Sequence, residues 1–121
     1  MLKWAMAAFV TASLVAGPAS GAPGLAPGQK PLAAIGVGAT PCGSFNKIYA
    51  ADPKWANDNF MSWAQGFMSG ANAEHPRGRV ILNSVSSEEV WARLSAYCAE
   101  HPKNAFEDGV RVLYRSLPTL P

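Results

Sequence analysis

Three stretches of this chain place apolar residues at the 3.6-residue spacing of an α-helix. They cover about residues 55–73, 86–101 and 104–117, and each combines one apolar face with one polar face. Such helices are stable only when their apolar faces are buried against other elements. We therefore predict an all-α fold, a small bundle of three to four helices.

The apolar faces supply the predicted core. On the third helix, Glu107, Arg111 and Arg115 fall opposite the apolar residues, so we predict that they face outwards. A short helical turn is predicted over residues 44–50, and residues 75–85 are predicted to form a loop. The predicted core residues are Phe60, Trp63, Ala64, Phe67, Met68, Ala71, Val90, Trp91, Leu94, Tyr97, Cys98, Phe106, Val110, Leu113, Tyr114 and Leu117.

Polar residues and prolines support the helix boundaries. Ser86 followed by Glu89 matches a capping box, in which the serine accepts a backbone N–H and the glutamate reaches back to the serine backbone. Asn104 followed by Glu107 repeats this pattern at the third helix. Prolines follow the second and third helices, and the residue before a proline disfavours the α conformation.

Two glycines, Gly66 and Gly70, lie one turn apart in the first long helix. A glycine inside a helix costs about 1 kcal/mol relative to alanine, so the pair needs a reason. The favoured interpretation is the close approach of another helix of the same bundle. The alternative is a shallow groove that receives a partner chain. The polar face of this helix argues against a membrane-embedded dimerisation motif.

The first 21 residues have the layout of a cleavable secretory signal. Lys3 provides a positive start, residues 4–15 are almost entirely apolar, and small residues lead to a predicted cleavage after Gly21. The apolar run is shorter than the ~20 residues that a membrane-spanning helix needs. We therefore predict a periplasmic or secreted protein with no membrane span after cleavage.

The remainder divides into an arm and a domain. Residues 22–41 contain prolines and glycines at short intervals, which predicts a flexible arm. The helical domain is predicted over residues 42–118. Its two cysteines, Cys42 and Cys98, form an even set in an oxidising compartment, which favours a disulfide over two separate buried thiols. Closing a loop of this length contributes roughly 4 kcal/mol in the chain-entropy model.

Composition and motifs argue against an enzyme or a nucleic-acid-binding protein. Without Lys3, nine Lys/Arg balance eight Asp/Glu, and no basic stripe for a polyanion is visible. We find no phosphate-binding loop, zinc-protease motif or serine-hydrolase motif. His75 and His101 each precede a proline at a helix end and lack the spacing of zinc ligands. We predict a binding protein with no cofactor and no metal.

Three short motifs lie within about residues 42–117: Cys42-x-x-Phe45, Trp63-x-x-Gly66-Phe67-x-x-Gly70 and Tyr97-Cys98-x-x-His101-Pro102. They resemble the motifs of the HdeA/HdeB-like periplasmic family. The resemblance implies a disulfide between the two cysteines. The characterised members are small helical proteins, dimeric at neutral pH, that loosen in strong acid and bind unfolding proteins.

A second set of features comprises residues 66–70, the His101-Pro102 helix end and a final amphipathic helix. In these features the chain is similar to the Tai-like periplasmic immunity proteins, which bind and inhibit amidase effectors of type VI secretion. Those proteins usually carry further cysteines, including one near the C-terminus that this chain lacks. The two resemblances imply a protein partner, either an unfolded client or a dedicated effector, and the first implies a possible homodimer.

The chaperone hypothesis has a simple electrostatic form. At pH 2 carboxylates with ordinary pKa values near ~4 are neutral, so the mature chain would carry a charge of about +12. Self-repulsion of that size could open the bundle. The residues predicted to contact a protein partner are Phe60, Trp63, Gly66, Phe67, Gly70 and Trp91.

Overall fold

The computed structural model describes residues 26–28 and 34–121. The chain divides into two units, Met1–Pro31 and Leu32–Pro121. In the first unit only a turn at residues 26–28 is described, so the predicted signal peptide at 1–21 lies outside the described residues. All the elements below belong to the second unit.

Residues 34–121 fold into α-helices and two short 3₁₀ turns, with no β-strand in this part of the chain, which confirms the predicted all-α class. The α-helices are α1 (Cys42–Ala51), α2 (Pro53–Ala56), α3 (Ser62–Glu74), α4 (Ser87–Glu100) and α5 (Phe106–Ser116). A π-helical turn, Asn57–Met61, joins α2 to α3, and the 3₁₀ turns are Gly36–Ala39 and Leu82–Ser84. None of the helices in the described ranges is both long enough and apolar enough to cross a membrane.

The first long helix of the prediction is α2, the π turn and α3 in continuous succession. Asp52 caps it by accepting the N–H of Trp55 at 3.0 Å, and Pro53 occupies its first position, where a missing N–H costs nothing. The backbone stays right-handed helical through Asn57 and Ser62. A π turn holds one extra residue, and Met61, which the predicted face does not include, is buried there.

The capping predictions are half right. Ser86 accepts the N–H of Glu89 at 3.1 Å, as predicted, but the Glu89 carboxylate pairs with Arg93 instead of reaching back. Helix α5 begins later than predicted, and Asp108 accepts the N–H of Ala105 at 2.9 Å. The prediction that Glu107 serves this cap is wrong, because its side chain turns into the bundle.

The core is built around the ring of Phe45 on α1. The centroid of this ring lies 4.8 Å from that of Phe60, 5.0 Å from Phe106 and 5.5 Å from Trp91, so it contacts the π turn, α5 and α4. The pairs with Phe60 and Trp91 are edge-to-face, and such pairs add about 0.5–1.5 kcal/mol each beyond their burial. The buried apolar residues are Cys42, Phe45, Ala56, Phe60, Met61, Ala64, Met68, Val80, Val90, Leu94, Cys98, Phe106, Val110, Leu113 and Leu117.

The predicted disulfide is present. Cys42 and Cys98 are bonded, have Cα atoms 4.6 Å apart and are completely buried. The bond joins the first residue of α1 to the last turns of α4. Nearby, the N–H of Cys42 donates to the carbonyl of Asn104 at 2.7 Å, and the N–H of Gly43 donates to that of Pro102 at 2.9 Å. The start of α1 is therefore held against the α4–α5 connection by covalent and hydrogen bonds.

Replacing both cysteines by alanine should lower the free energy of unfolding by about 4 kcal/mol, because the enclosed loop regains its entropy in the unfolded state. Urea unfolding of the oxidised protein and of the double variant measures the difference. Wild-type protein reduced before unfolding is the control and should lose a similar amount. A loss below about 1 kcal/mol would contradict a structural role for the bond.

Candidate functional site

The structure separates the six residues of the predicted partner-binding set. Phe60 is completely buried, three aromatic residues are half-buried at the margin of the core, and two glycines are exposed on α3. The half-buried residues are Trp63, Phe67 and Trp91, and the exposed ones are Gly66 and Gly70. Phe60 is therefore absent from the surface of the described structure, whereas the other five residues are at least partly exposed.

Trp63 and Phe67 stack against each other, with ring centroids 5.4 Å apart. The indole N–H of Trp63 donates to the carbonyl of Ile35 at 3.0 Å. Gly38 lies so close to the indole ring that a Cβ there would be 2.0 Å from it. Residues 35–39, which the sequence predicts as part of a flexible arm, thus cover Trp63, and we call them the covering segment.

A buried carboxylate lies beside this aromatic pair. Glu107, which the sequence predicts on the outer face of α5, has a side chain only 4% exposed, whereas that of Arg111 is 41% exposed. Arg111 donates its Nε–H to Glu107 Oε1 at 2.6 Å, and a second guanidinium nitrogen contacts the same oxygen. The guanidinium carbon of Arg111 lies 5.1 Å from the ring centroid of Phe67, a cation–π distance. The ion pair and the aromatic stack are thus in direct contact.

The position of Gly66 and Gly70 overturns the favoured interpretation of the pair. Neither glycine has a neighbouring atom within 4 Å of where a Cβ would stand, so no described helix approaches them. The close helix contact occurs instead at Gly109 of α5, where a Cβ would lie 2.8 Å from Tyr97 of α4. The side of α3 that carries Gly66 and Gly70 is exposed.

Two of the clefts beside the buried core lie next to α3 and at the start of α4, and the sequence indicated neither. One, of about 450 Å³, lies beside the exposed side of α3 and is lined by Met61, Met68 and Val90 with uncharged polar neighbours. The other, of about 480 Å³, lies where Tyr49 and Trp91 meet the start of α4. Lys54 lines the second cleft, and its hydrogen bond with Asp58 raises the pKa of this lysine.

The described residues hold no group of three or more His, Cys, Asp or Glu side chains arranged to bind a metal ion. His75 is exposed at the end of α3. His101 is exposed at the end of α4, where its ring packs on Tyr97 with centroids 4.5 Å apart. Both histidines are thus the residues at which a helix ends.

Comparison with known proteins returned no matching family model, no matching curated protein and no matching solved structure.

The sequence contained an indication of the inward position of Glu107 and of its pairing with Arg111. Glu107 lies three residues before Val110 and seven before Tyr114, a spacing that places it beside two predicted core residues. The four-residue step to Arg111 is that of a helical ion pair. The covering segment left no such signal, because its contact with Trp63 joins residues 28 positions apart.

Replacing Gly38 by alanine should lower the free energy of unfolding by about 1–3 kcal/mol, because the added methyl overlaps the indole of Trp63. Gly66→Ala is the matched control: its methyl meets open space, so it should raise stability by about 0.5–1 kcal/mol through helix propensity. Urea unfolding measures both. Equal effects of the two substitutions would show that residues 35–39 do not pack on Trp63.

Replacing Glu107 by glutamine should lower the free energy of unfolding at pH 7 by about 1–3 kcal/mol, because Arg111 loses its buried charged partner. Glu89→Gln is matched in position, since Glu89 also lies in the first turn of a helix and pairs with an arginine four residues on. That pair is half-exposed, so its loss should cost no more than about 1 kcal/mol. Similar losses in both variants would contradict a special role for burial.

Proposed function

We propose that this protein is a non-enzymatic, periplasmic or secreted binding protein that opens in acid and binds unfolding proteins, similar in role to the HdeA/HdeB-type chaperones. The observation that carries the proposal is the buried Glu107 carboxylate paired with Arg111 against the Phe67–Trp63 stack. Loss of this ion pair would act directly on the apolar surface that a client needs, because Arg111 lies on the ring of Phe67. The proposed client surface comprises Phe60, Trp63, Phe67 and Trp91.

The charge balance of the described domain supports an acid trigger. Residues 34–121 contain eight Lys/Arg and eight Asp/Glu, so their side-chain charges cancel at neutral pH. When the carboxylates are neutral in strong acid, the eight cations and two histidines repel one another without compensation. The ion pairs Lys54–Asp58, Arg93–Glu89 and Arg111–Glu107 would lose their negative members together.

Among these three pairs, only that of Glu107 has a buried carboxylate. A buried charge whose partner is removed is costly, because neither water nor another ion replaces the lost interaction fully. The covering segment and residues 62–73 of α3, which pack near this pair, carry no ionisable side chain. Arg111 would therefore lose its counter-charge while it lies on Phe67, with Arg115 one turn further along α5. Moving the guanidinium into water would loosen Phe67, then Trp63 and the covering segment.

The disulfide would limit this opening. Thiol–disulfide exchange requires a thiolate, which acid suppresses, so the Cys42–Cys98 bond should persist at pH 2. Helices α1 and α4 would stay joined while α3 and α5 separate. A tethered, partly open chain exposes apolar surface and can close again when neutral pH returns.

A dedicated effector-binding role is the alternative, and the exposed Gly66 and Gly70 favour it. The lack of a side chain at two positions one turn apart allows another backbone to approach closely there. No atom of the described residues lies within 4 Å of where a Cβ of either glycine would stand. The methionine-lined cleft beside the exposed side of α3 offers an adaptable apolar recess for a partner's side chain. This surface would act in the closed state at neutral pH, so acid would not be needed.

The oxidised mature protein should open between pH 7 and pH 2 and suppress aggregation of an acid-sensitive client. Tryptophan fluorescence and analytical sizing measure opening and any dissociation of a homodimer, and light scattering measures client aggregation. Glu107→Gln lacks the buried charge from the start, so its midpoint of opening should lie at higher pH than that of the wild type. Glu89→Gln should open at the wild-type midpoint.

Return to pH 7 should restore the wild-type fluorescence, since the disulfide keeps the helices together. A protein that keeps its neutral-pH fluorescence and size at pH 2, and leaves client aggregation unchanged, would refute the chaperone proposal. That result would favour the dedicated effector and make Gly66 and Gly70 the first positions to substitute.

A further inference from the structure

We propose that a cleft between α3 and α5 is a binding site for a carboxylate group attached to an apolar moiety. The cleft has a volume of about 260 Å³, which suits a ligand of side-chain size. We call it the basic cleft. It is lined by Phe67, Ala71, His75, Arg111, Tyr114 and Arg115.

The charges of the basic cleft are unbalanced. Its lining includes two guanidinium groups and a histidine but no carboxylate. The side chain of Arg115 makes no hydrogen bond or ion pair within residues 26–28 and 34–121. Arg111 uses Nε and Nη2 for Glu107, which leaves Nη1 without a partner in the same ranges. With Glu107 counted, the two arginines leave one net positive charge, which a single carboxylate would neutralise.

The position of Tyr114 in the cleft is fixed by hydrogen bonds. Its hydroxyl donates to Asn72 Oδ1 at 2.9 Å. Asn72 in turn accepts the N–H of Val80 at 3.0 Å and donates from Nδ2 to the carbonyl of Val80 at 3.0 Å. These bonds tie α3, the following loop and α5 together on one side of the cleft. A preformed site of this kind loses little entropy when a ligand binds.

The position of Arg115 in the last turn of α5 has a simpler explanation, because a cation there is favoured by the helix dipole. That effect does not account for the apolar surface offered by Phe67 and Ala71 beside it. Guanidinium groups bind planar carboxylates through paired hydrogen bonds, and the aromatic ring suits an apolar neighbour of that group. A carboxylate on an aromatic or aliphatic group therefore matches both sides of the cleft.

This site does not depend on acid opening, since its residues are assembled in the closed bundle. Two sources could supply the group: a free small carboxylate, or the terminal carboxylate of a peptide. The first probe is 3-phenylpropanoate, with 3-phenylpropanamide as its neutral counterpart. The second is N-acetyl-alanyl-phenylalanine, with its C-terminal amide as counterpart. All four are titrated at pH 7, so failure here is distinct from failure of the acid-opening proposal.

Backbone and aromatic NMR signals report where each probe binds. At least one carboxylate should give saturable shifts centred on Ala71, Tyr114 and Arg115, and its amide should give none. Arg115→Gln should weaken binding about tenfold, because one charge-assisted hydrogen-bonding partner is lost. Lys103→Gln removes the same charge near the opposite end of α5 and should leave the affinity unchanged. Whichever carboxylate binds more tightly identifies the source.

Any of three results would refute the proposal. The first is that neither carboxylate produces saturable shifts, and the second is that an amide binds as tightly as its acid. The third is that Lys103→Gln weakens binding as much as Arg115→Gln. The last result would mean that the net charge of the protein, and not the cleft, attracts the probe. Unfolding curves of both variants at pH 7 establish that each is folded under the titration conditions.

Discussion

The attachment of the start of α1 to the last turn of α4 and to the α4–α5 connection is the constraint on which the rest of the bundle depends. The Cys42–Cys98 bond fixes the first residue of α1, and the ring of Phe45 one turn later fills the space between the π turn, α4 and α5. In so small a domain the apolar core supplies only a modest surplus of free energy. We therefore expect the covalent link at the start of the core to supply a large share of the stability of the domain.

Helix α5 carries one buried carboxylate, Glu107, beside the apolar core. A buried ion pair is seldom more stabilising than well-packed apolar side chains at the same positions. Burial of the pair is therefore not explained by stability alone. Arg111 of this pair lies on the ring of Phe67, which stacks on Trp63 beneath the covering segment.

Helix positions were largely predictable because they depend on local periodicity and on residues that start and stop helices. Ser86 capped α4 as predicted, and most of the predicted core residues are buried. The errors lie where a contact joins distant residues. Gly66 and Gly70 have the spacing of a helix-packing pair, yet the close contact is at Gly109, because the neighbour of a glycine depends on how the helices cross. Gly38 gave no local sign of its contact with Trp63.

The sequence by itself determined the helical class, the approximate helix limits and the cysteines available for pairing, since each follows from spacing, composition or local chemistry. Tertiary structure alone decided that the Glu107–Arg111 pair lies against Phe67, that residues 35–39 cover Trp63 and that Gly66 and Gly70 stay exposed. The basic cleft also depends on tertiary structure. Arg111 and Arg115 come to lie beside Phe67 and Ala71 only when α5 packs on α3. The physical reason is that periodicity reports which side of a helix is apolar, whereas the neighbours of that side depend on the angles and register of packing.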